Sequence, residues 1–330
     1  MQAMTQADTN SLKVFAGRSS GLVAERVCAR LDLTVAKGRC DAFPDGELIT
    51  KVDEDVRGRD CFVVLSTCQP VNDNLMELLL WIDCLRRASA WRITAVLPYF
   101  GYARQDRKDE GRVPITAKLV SNLITKAGAD RVLAMDLHAA QIQGFFDIPL
   151  DHLSASPVFI EYFQSIRSEL GDLVVVSPDV GNVKVANRYA ELLDGDLAIV
   201  EKRRLSGSEV NTANLVGEVT GKTVLMMDDM ISTAGTITQA ARLVMDRGAK
   251  RVIVGATHAV FVGMALERLA AAPIERVVVT NTIPADERRT PIEDKLLELC
   301  VGPLLGDAIH RIHHNMSVSA LFRPGTGPKR

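Results

Sequence analysis

The chain has 330 residues, enough for two domains of ordinary size, and its 47% hydrophobic and 24% charged residues are typical of a globular protein. A net charge of −2 and an aromatic content of 5% argue against general binding to nucleic acid. The longest apolar runs are only strand-length, so no membrane span is predicted. The six cysteines form no Cys-x-x-Cys pair, which favours a reducing, cytoplasmic setting without disulfides or a zinc site.

Strand-like and helix-like segments alternate along the whole chain, and the pattern restarts near residue 155. Before this point the periodicity predicts strands at 61–65, 93–98 and 131–135 and helices at 75–87 and 115–127. After it, helices are predicted at 157–168, 181–193, 235–246 and 263–270, and strands at 173–176, 197–200, 223–227, 251–255 and 276–280. This alternation predicts an α/β protein of two similar domains, each a mostly parallel sheet flanked by helices.

The restart also sets the expected domain boundaries. We place an N-terminal domain at residues 11–155 and a C-terminal domain at 156–309, and expect residues 310–322 to return to the first domain. The polar residues 1–10 and the Pro- and Gly-rich residues 323–330 are expected to be disordered. Residues 149–157 are the expected hinge. Three histidines near the C-terminus, His310, His313 and His314, are interpreted as a solvated helix end in preference to a metal site.

The most informative segment joins two carboxylates to a small, polar turn. Asp228 and Asp229 follow an apolar strand-like run, and a helix-like segment opens a few residues later. Backbone N–H groups and hydroxyls at a helix N-terminus bind phosphate, whereas carboxylates at a strand end bind sugar hydroxyls or a hydrated Mg²⁺. An ordinary solvated turn is the alternative. The order of these features favours a ribose 5-phosphate site, with the turn formed by Ser232, Thr233, Ala234, Gly235 and Thr236.

A compact basic group follows the strand predicted at 93–98. Its members are Arg104, Arg107, Lys108 and Arg112, with Gln105 among them. Guanidinium groups match phosphate oxygens in geometry and lysine adds positive charge. A solvated basic loop is the alternative for an isolated run, but the position at a strand end favours polyphosphate binding.

A histidine follows the next predicted strand. His138 comes directly after Asp136 and Leu137. A lone histidine is more often structural than functional, but its place at a strand end makes His138 a candidate ligand.

Together these segments resemble the ribose-phosphate pyrophosphokinases across residues 12–322. The segment at 224–236 resembles the phosphoribosyl-pyrophosphate binding loop that this family shares with the type I phosphoribosyltransferases. The Gly-Tyr-Ala-Arg-Gln-Asp block at 101–106 is more specific to the pyrophosphokinases. The resemblance implies two domains of type I phosphoribosyltransferase-like topology. It also implies transfer of the pyrophosphoryl group of MgATP to the 1-hydroxyl of ribose 5-phosphate, for nucleotide biosynthesis.

The resemblance assigns roles residue by residue. Asp228 and Asp229 bind the ribose hydroxyls, and the turn that follows holds the 5-phosphate. Lys202 and Arg204 are the catalytic cations, in a polar stretch that the family uses as a flexible closing loop. His138 and Asp179 hold Mg²⁺, directly or through water. The implied ATP contacts are Phe43, Asp45, Glu47, Arg104, Gln105, Arg107 and Lys108.

The resemblance further implies an assembly and its effectors. Phe43 and Glu47 are adenine contacts that a neighbouring subunit lends, so a homo-oligomer is expected, typically a hexamer built from dimers. Phosphate and ADP are the implied effectors, with contacts at Arg57, Arg112, Gln143, Ser317 and Ser319. No nucleic acid or membrane partner is expected.

The sequence departs from the family pattern at a few positions. Ser232 stands where many members carry Asp, and Val180 and Asn182 fall where His or Ala and a second Gly are common. Asp55 and Gly111 replace Ser of the phosphate-activated class, and a carboxylate at Asp55 would repel phosphate. We therefore expect weak activation by phosphate.

Two other functions remain open on the sequence. A non-catalytic regulatory homologue would have lost catalytic segments, but all the residues assigned above are in place. A phosphoribosyltransferase would share the loop at 224–236 but would normally lack the basic block after the strand at 93–98.

Overall fold

The computed structural model describes residues 12–203 and 212–322, which divide into two compact units. The first comprises the described residues up to Ala155 together with 282–284 and those from Cys300 onward, and the second comprises Ser156–Asn281 and Ala285–Leu299. None of the helices in these ranges is long and apolar enough to cross a membrane.

The first unit is built on a parallel sheet with strand order β1-β4-β5-β6-β7 in the described part of the chain. Its three central strands are buried along nearly their whole length, as expected when helices cover both faces. The strands are β1 (Leu12–Ala16), β4 (Asp60–Val64), β5 (Arg92–Leu97), β6 (Arg131–Met135) and β7 (Leu150–Leu153), and the helices are α1 (Gly21–Leu31), α2 (Val71–Arg87), α3 (Thr116–Ala127) and α9 (Gly302–His313).

An antiparallel hairpin is added to this unit. Strands β2 (Gly38–Ala42) and β3 (Leu48–Val52) pair from Gly38↔Val52 to Ala42↔Leu48. The two strands are mostly exposed, in contrast to the parallel strands.

Helix α9 returns to the first unit and packs along α1. Two glycines one turn apart make this close approach possible. A Cβ atom at Gly302 would lie 2.4 Å from the Cβ of Arg26, and one at Gly306 would lie 2.8 Å from the Cγ of Arg30. We expected the return at residue 310, whereas it begins at Cys300, because the whole of α9 is needed to cover α1.

The second unit has a larger sheet, with strand order β10-β9-β8-β11-β12-β13-β14 among the described residues. Neighbouring strands are parallel except for the β9–β10 pair. The strands are β8 (Leu173–Ser177), β9 (Asp196–Arg203), β10 (Thr212–Val216), β11 (Thr223–Ile231), β12 (Arg251–Ala259), β13 (Arg276–Thr280) and β14 (Leu296–Leu299), and the helices are α4 (Ser156–Ser165), α5 (Arg167–Leu170), α6 (Val183–Leu193), α7 (Gly235–Asp246) and α8 (Ala265–Ala271). The two-unit α/β fold class predicted from the alternation is confirmed.

The boundary between the two units lies between Ala155 and Ser156, inside the expected range 149–157, and β7 occupies the first part of that range, where it pairs with β6 from Leu150 to Leu153. One local expectation was wrong. His313 does not lie at a solvated helix end: only 4% of it is exposed, and its Nδ1 lies 2.8 Å from Oδ2 of the fully buried Asp60. The sequence could not reveal this partner, which is 253 positions away.

Candidate active site

The acid pair lies inside β11, not beyond its end. Pairing with β12 continues past Asp228 to Ile231↔Ala259, which extends the strand four residues further than the sequence predicted. Asp228 and Asp229 therefore lie in the last part of the strand, and both side chains are half-buried. The backbone N–H of Asp229 donates to Oδ1 of Asp228 at 2.9 Å.

The setting of Asp228 favours its protonated form. Burial, followed by the neighbouring charge of Asp229, raises the pKa of Asp228 to about 7. The charge of Asp179 contributes in the same direction. Three carboxylates thus act on one another within the second unit, and any cation or hydroxyl donor that enters would relieve their repulsion.

The turn after β11 leads directly into a helix N-terminus. Ala234 has a left-handed backbone, with φ 59°, at the residue before α7. Among the described residues no side chain caps this end of α7, so its first N–H groups point outward without an intrahelical acceptor. Arg268 donates to the Thr233 carbonyl at 2.8 Å, and the Val262 N–H donates to the Ser232 carbonyl at 3.0 Å, so both bonds hold the turn from outside.

The loop after β8 is tied to β11 by Asn182. Its backbone N–H donates to Oδ1 of Asp179 at 3.0 Å, and its side-chain amide donates to the Met227 carbonyl at 2.7 Å. The same amide nitrogen lies 3.5 Å from Oδ1 of Asp228. The residue that departs from the family pattern therefore connects the predicted metal ligand Asp179 to the acid pair.

In the first unit, the turn after β5 carries the predicted basic group and is called the basic turn (residues 101–112). Arg104, Gln105, Arg107 and Lys108 are all exposed. The turn is fixed at its start, where the Gly101 N–H donates to Oγ1 of Thr67 at 2.7 Å. A Cβ atom at Gly101 would lie 2.4 Å from the Thr67 carbonyl oxygen, so only glycine fits there.

The turn after β6 carries His138. Asp136, with φ 35°, accepts from the Ala155 N–H at 2.9 Å. The Leu137 N–H donates to Nε2 of His152 at 2.9 Å, and the His138 side chain is exposed. This turn contacts the basic turn through a hydrogen bond between Gln141 and Asp106. The structure thus brings the predicted residues of these two turns to one edge of the first sheet.

The remaining predicted nucleotide contacts lie at the tip of the β2–β3 hairpin. Phe43 is 48% exposed, and its N–H donates to the Glu47 carbonyl at 2.7 Å. Glu47 N–H in turn donates to Oδ1 of Asp45 at 3.1 Å. The tip is therefore a closed turn that presents an aromatic ring outward.

Three of the five predicted effector residues line one cavity of about 510 Å³ in the first unit. Gln143, Ser317 and Ser319 contribute to its wall together with Arg131, Asp151 and His152. The exposed Arg57 instead donates to Oγ of Ser89 at 3.2 Å, and its N–H donates to Oδ1 of Asp55 at 3.1 Å. Arg112 is exposed, with φ 65°.

The predicted catalytic cations are described only in part. Lys202 lies in β9, with its Cα opposite that of Ala213 in β10, whereas Arg204 lies outside the described residues. Within residues 12–203 and 212–322, no group of three or more His, Cys, Asp or Glu side chains is arranged to hold a metal ion. Sequence reasoning did not select His152 and treated Asn182 only as a departure, because neither lies in a motif that identifies its partner.

The two units are α/β folds, and at the carboxyl ends of their parallel strands lie acids, a basic turn and an uncapped helix N-terminus. Open α/β sheets in general bind their ligands at these strand ends. Two family profiles match, one for the N-terminal domain of ribose phosphate pyrophosphokinase at residues 12–128 and one for the phosphoribosyl synthetase-associated domain at 204–323. The ribose-phosphate pyrophosphokinase of Rhodopirellula baltica is 59% identical over 94% of this chain and 98% of its own length, and that of Gloeobacter violaceus is 53% identical over 94% and 93%.

A solved structure agrees with these relatives. The phosphoribosylpyrophosphate synthetase from Mycobacterium smegmatis matches with a TM-score of 0.86 and 44% identity, over 92% of this chain and 99% of that one. The chain therefore belongs to the ribose-phosphate pyrophosphokinase family and is an enzyme of the transferase class.

Proposed function

We propose that the protein transfers the pyrophosphoryl group of MgATP to the 1-hydroxyl of ribose 5-phosphate, giving 5-phosphoribosyl 1-pyrophosphate and AMP. The observation that carries this proposal is the passage from the acid pair of β11 into the N-terminus of α7, which no described side chain caps. The hydroxyls of ribose 5-phosphate suit the acid pair, and its phosphate suits the helix N-terminus. We also propose that the enzyme works in the cytoplasm, in keeping with the buried thiols of Cys28, Cys61 and Cys68.

The ribose 5-phosphate site uses two kinds of contact. Asp228 and Asp229 accept hydrogen bonds from the ribose hydroxyls, and this favours the ionised form of Asp228. The 5-phosphate is held by the turn of Ser232, Thr233, Ala234, Gly235 and Thr236, through backbone N–H groups and hydroxyls. The hydroxyl of Ser232 can donate to this phosphate and, because it carries no negative charge, does not repel it.

The nucleotide site combines the basic turn of one subunit with the β2–β3 hairpin tip of a neighbouring subunit. Arg104, Gln105, Arg107 and Lys108 neutralise the phosphates, as their exposure at a strand end allows. Phe43, Asp45 and Glu47 hold the adenine of a nucleotide bound to a neighbouring subunit. The hairpin tip, where Phe43 is 48% exposed, supports this arrangement, and we propose a hexamer built from dimers.

Mg²⁺ is the proposed cofactor, and the available donors suit it. The Asp179 side chain is exposed, and His138 lies exposed at the carboxyl end of β6. Mg²⁺ usually keeps several waters and takes only one or two protein ligands together with substrate phosphates. When bound, it would neutralise the phosphate oxygens of the nucleotide.

Catalysis then depends on position and charge. The bound ribose presents its 1-hydroxyl for in-line attack on the β-phosphorus, the bond between the α- and β-phosphates breaks, and AMP leaves. Lys202 and Arg204 supply positive charge to the oxygens of the transition state.

The cavity lined by Gln143, Ser317 and Ser319 is the proposed effector site for phosphate and ADP. Arg57 and Arg112 remain proposed contacts. Because the carboxylate of Asp55 lies beside the Arg57 backbone, we expect weak activation by phosphate.

The direct test is AMP formation by the purified protein from ATP, Mg²⁺ and ribose 5-phosphate. AMP that appears only with ribose 5-phosphate, matched by phosphoribosyl pyrophosphate, supports the synthetase. The absence of AMP from a well-folded oligomer would refute it and favour a regulatory homologue.

The same assay tests the catalytic cations. Lys202→Ala and Arg204→Ala should each lower kcat at least about a hundredfold with smaller effects on KM, since contacts made mainly in the transition state affect kcat. Lys250→Ala is the matched control. This exposed lysine directly precedes β12, at the amino ends of the parallel strands, whereas Lys202 lies near the carboxyl end of β9. Near-normal kcat in both loop variants would remove the loop from the mechanism.

A further inference from the structure

His152 lies between the effector cavity and the turn that carries His138. It belongs to β7, where its Cα pairs with that of Ala134 in β6, and its side chain is half-buried. Its Nε2 accepts the Leu137 N–H at 2.9 Å. Leu137 is the residue between Asp136 and His138, so this bond holds the middle of the turn.

The other ring nitrogen faces the cavity side. Nδ1 of His152 lies 3.5 Å from the amide nitrogen of Gln143, and that amide donates to the Ala140 carbonyl at 2.9 Å. Both Gln143 and His152 line the cavity, as do the hydroxyl-bearing Ser317 and Ser319. One imidazole ring therefore connects the cavity wall to the backbone of the turn.

The two contacts of the ring are linked by its tautomer. To accept from Leu137, Nε2 must be unprotonated, so the neutral ring carries its proton on Nδ1. That N–H then faces the amide nitrogen of Gln143, which is itself a donor. An acceptor in the cavity, such as an oxyanion, would satisfy this N–H and select the tautomer that accepts from Leu137. Burial lowers the pKa of His152, in keeping with a neutral ring.

We propose that His152 is a positioning residue that transmits occupancy of the cavity by an oxyanion to the Asp136–His138 turn. An oxyanion that accepts from Nδ1 strengthens the bond at Nε2 and fixes the turn. In the empty cavity the ring also samples the other tautomer, which places two donors against each other and loosens the turn. The inference rests on the proposed function in two respects: it takes the turn to be part of the active site, and it takes the cavity to bind an oxyanion. A single ordinary hydrogen bond limits the coupling to about two- to tenfold.

Hydrogen–deuterium exchange of the peptide that contains Leu137 tests the proposal, with inorganic phosphate as the probe and without ATP or ribose 5-phosphate. In the wild type, saturating phosphate should slow this exchange about two- to tenfold. His152→Leu removes the acceptor at similar volume, so exchange should be faster and insensitive to phosphate. His152→Gln restores an acceptor but has no tautomers, so exchange should be slow with or without phosphate.

The control is His310→Leu, the same change at an exposed histidine of α9, which should behave like the wild type. Thermal unfolding of each variant separates local loosening from a general loss of stability. The proposal is overturned if phosphate leaves the wild-type exchange unchanged, if it slows exchange equally in His152→Leu, or if His152→Gln fails to restore protection. This experiment contains no substrate. A protein that shows this exchange pattern but makes no phosphoribosyl pyrophosphate would contradict the proposed function without contradicting the role of His152.

Discussion

Asp228→Asn should stabilise the ligand-free protein above neutral pH while it weakens ribose 5-phosphate binding. The pKa of Asp228 is raised from 3.8 to about 7, so between these values the folded state binds more protons than the unfolded state. Folding stability therefore falls as pH rises through this window, and the full cost is present above pH 7. A shift of about three units at about 1.4 kcal/mol each corresponds to roughly 4 kcal/mol as an upper value.

Asparagine avoids this cost because it stays neutral. Its side-chain oxygen can still accept the Asp229 N–H that donates to Asp228 at 2.9 Å, so the local backbone should be preserved. The ribose hydroxyls, however, lose a charged acceptor worth about 1.5–3 kcal/mol. We therefore expect the KM for ribose 5-phosphate to rise roughly ten- to hundredfold.

The assay compares thermal midpoints of ligand-free wild type and Asp228→Asn at about pH 4, where little of the cost is present, and at about pH 8. Asp246→Asn, at an exposed acid at the end of α7, is the control. Midpoints are preferred to one unfolding free energy because two units need not unfold together. The variant should gain stability over the wild type mainly at the higher pH. An equal difference at both pH values, or a destabilised variant at the higher one, would refute the reasoning about the buried acid pair.

Two further predictions concern stability of the first unit. Asp60→Ala removes the shared partner of Arg92 and His313 and should destabilise the protein by about 3–5 kcal/mol, measured by chemical unfolding. Burial alone would raise the pKa of Asp60, but the hydrogen bonds from Arg92 and His313 hold this pKa below its usual value. The stabilisation that Asp60 provides should therefore be present at neutral pH and be lost as the pH falls through the lowered pKa. Gly302→Ala should cost about 1–3 kcal/mol because its methyl group would meet Arg26, and an unchanged thermal midpoint would contradict the close packing of α9 on α1.

The contacts of Asn182 show how this departure from the family pattern fits the site. A glycine at this position, as is common in the family, would have no side chain to donate to the Met227 carbonyl or to approach Asp228. The amide of Asn182 places a hydrogen-bond donor beside an acid whose charge is otherwise disfavoured. The departure is thus compatible with the proposed ribose contacts.

The sequence by itself determined the class of fold and the location of the turns that we propose bind the ligands. Alternating apolar periodicity depends on neighbours within a few residues, so β6 and β13 could be predicted with the bounds that the structure has. The turn of residues 232–236 is likewise a local pattern, since a small polar turn before a helix needs no distant partner.

Only the tertiary structure decided the features that depend on distant partners. Pairing with β12 carries β11 past Asp228, and the packing around that strand raises the pKa of its carboxyl. His313 is buried against Asp60, which is 253 positions away in the sequence, and Arg92 donates to the carbonyl of the neighbouring Ile312. His152 meets Leu137 only because β7 pairs beside β6. Burial and hydrogen bonding between remote segments are products of packing, and no local pattern records them.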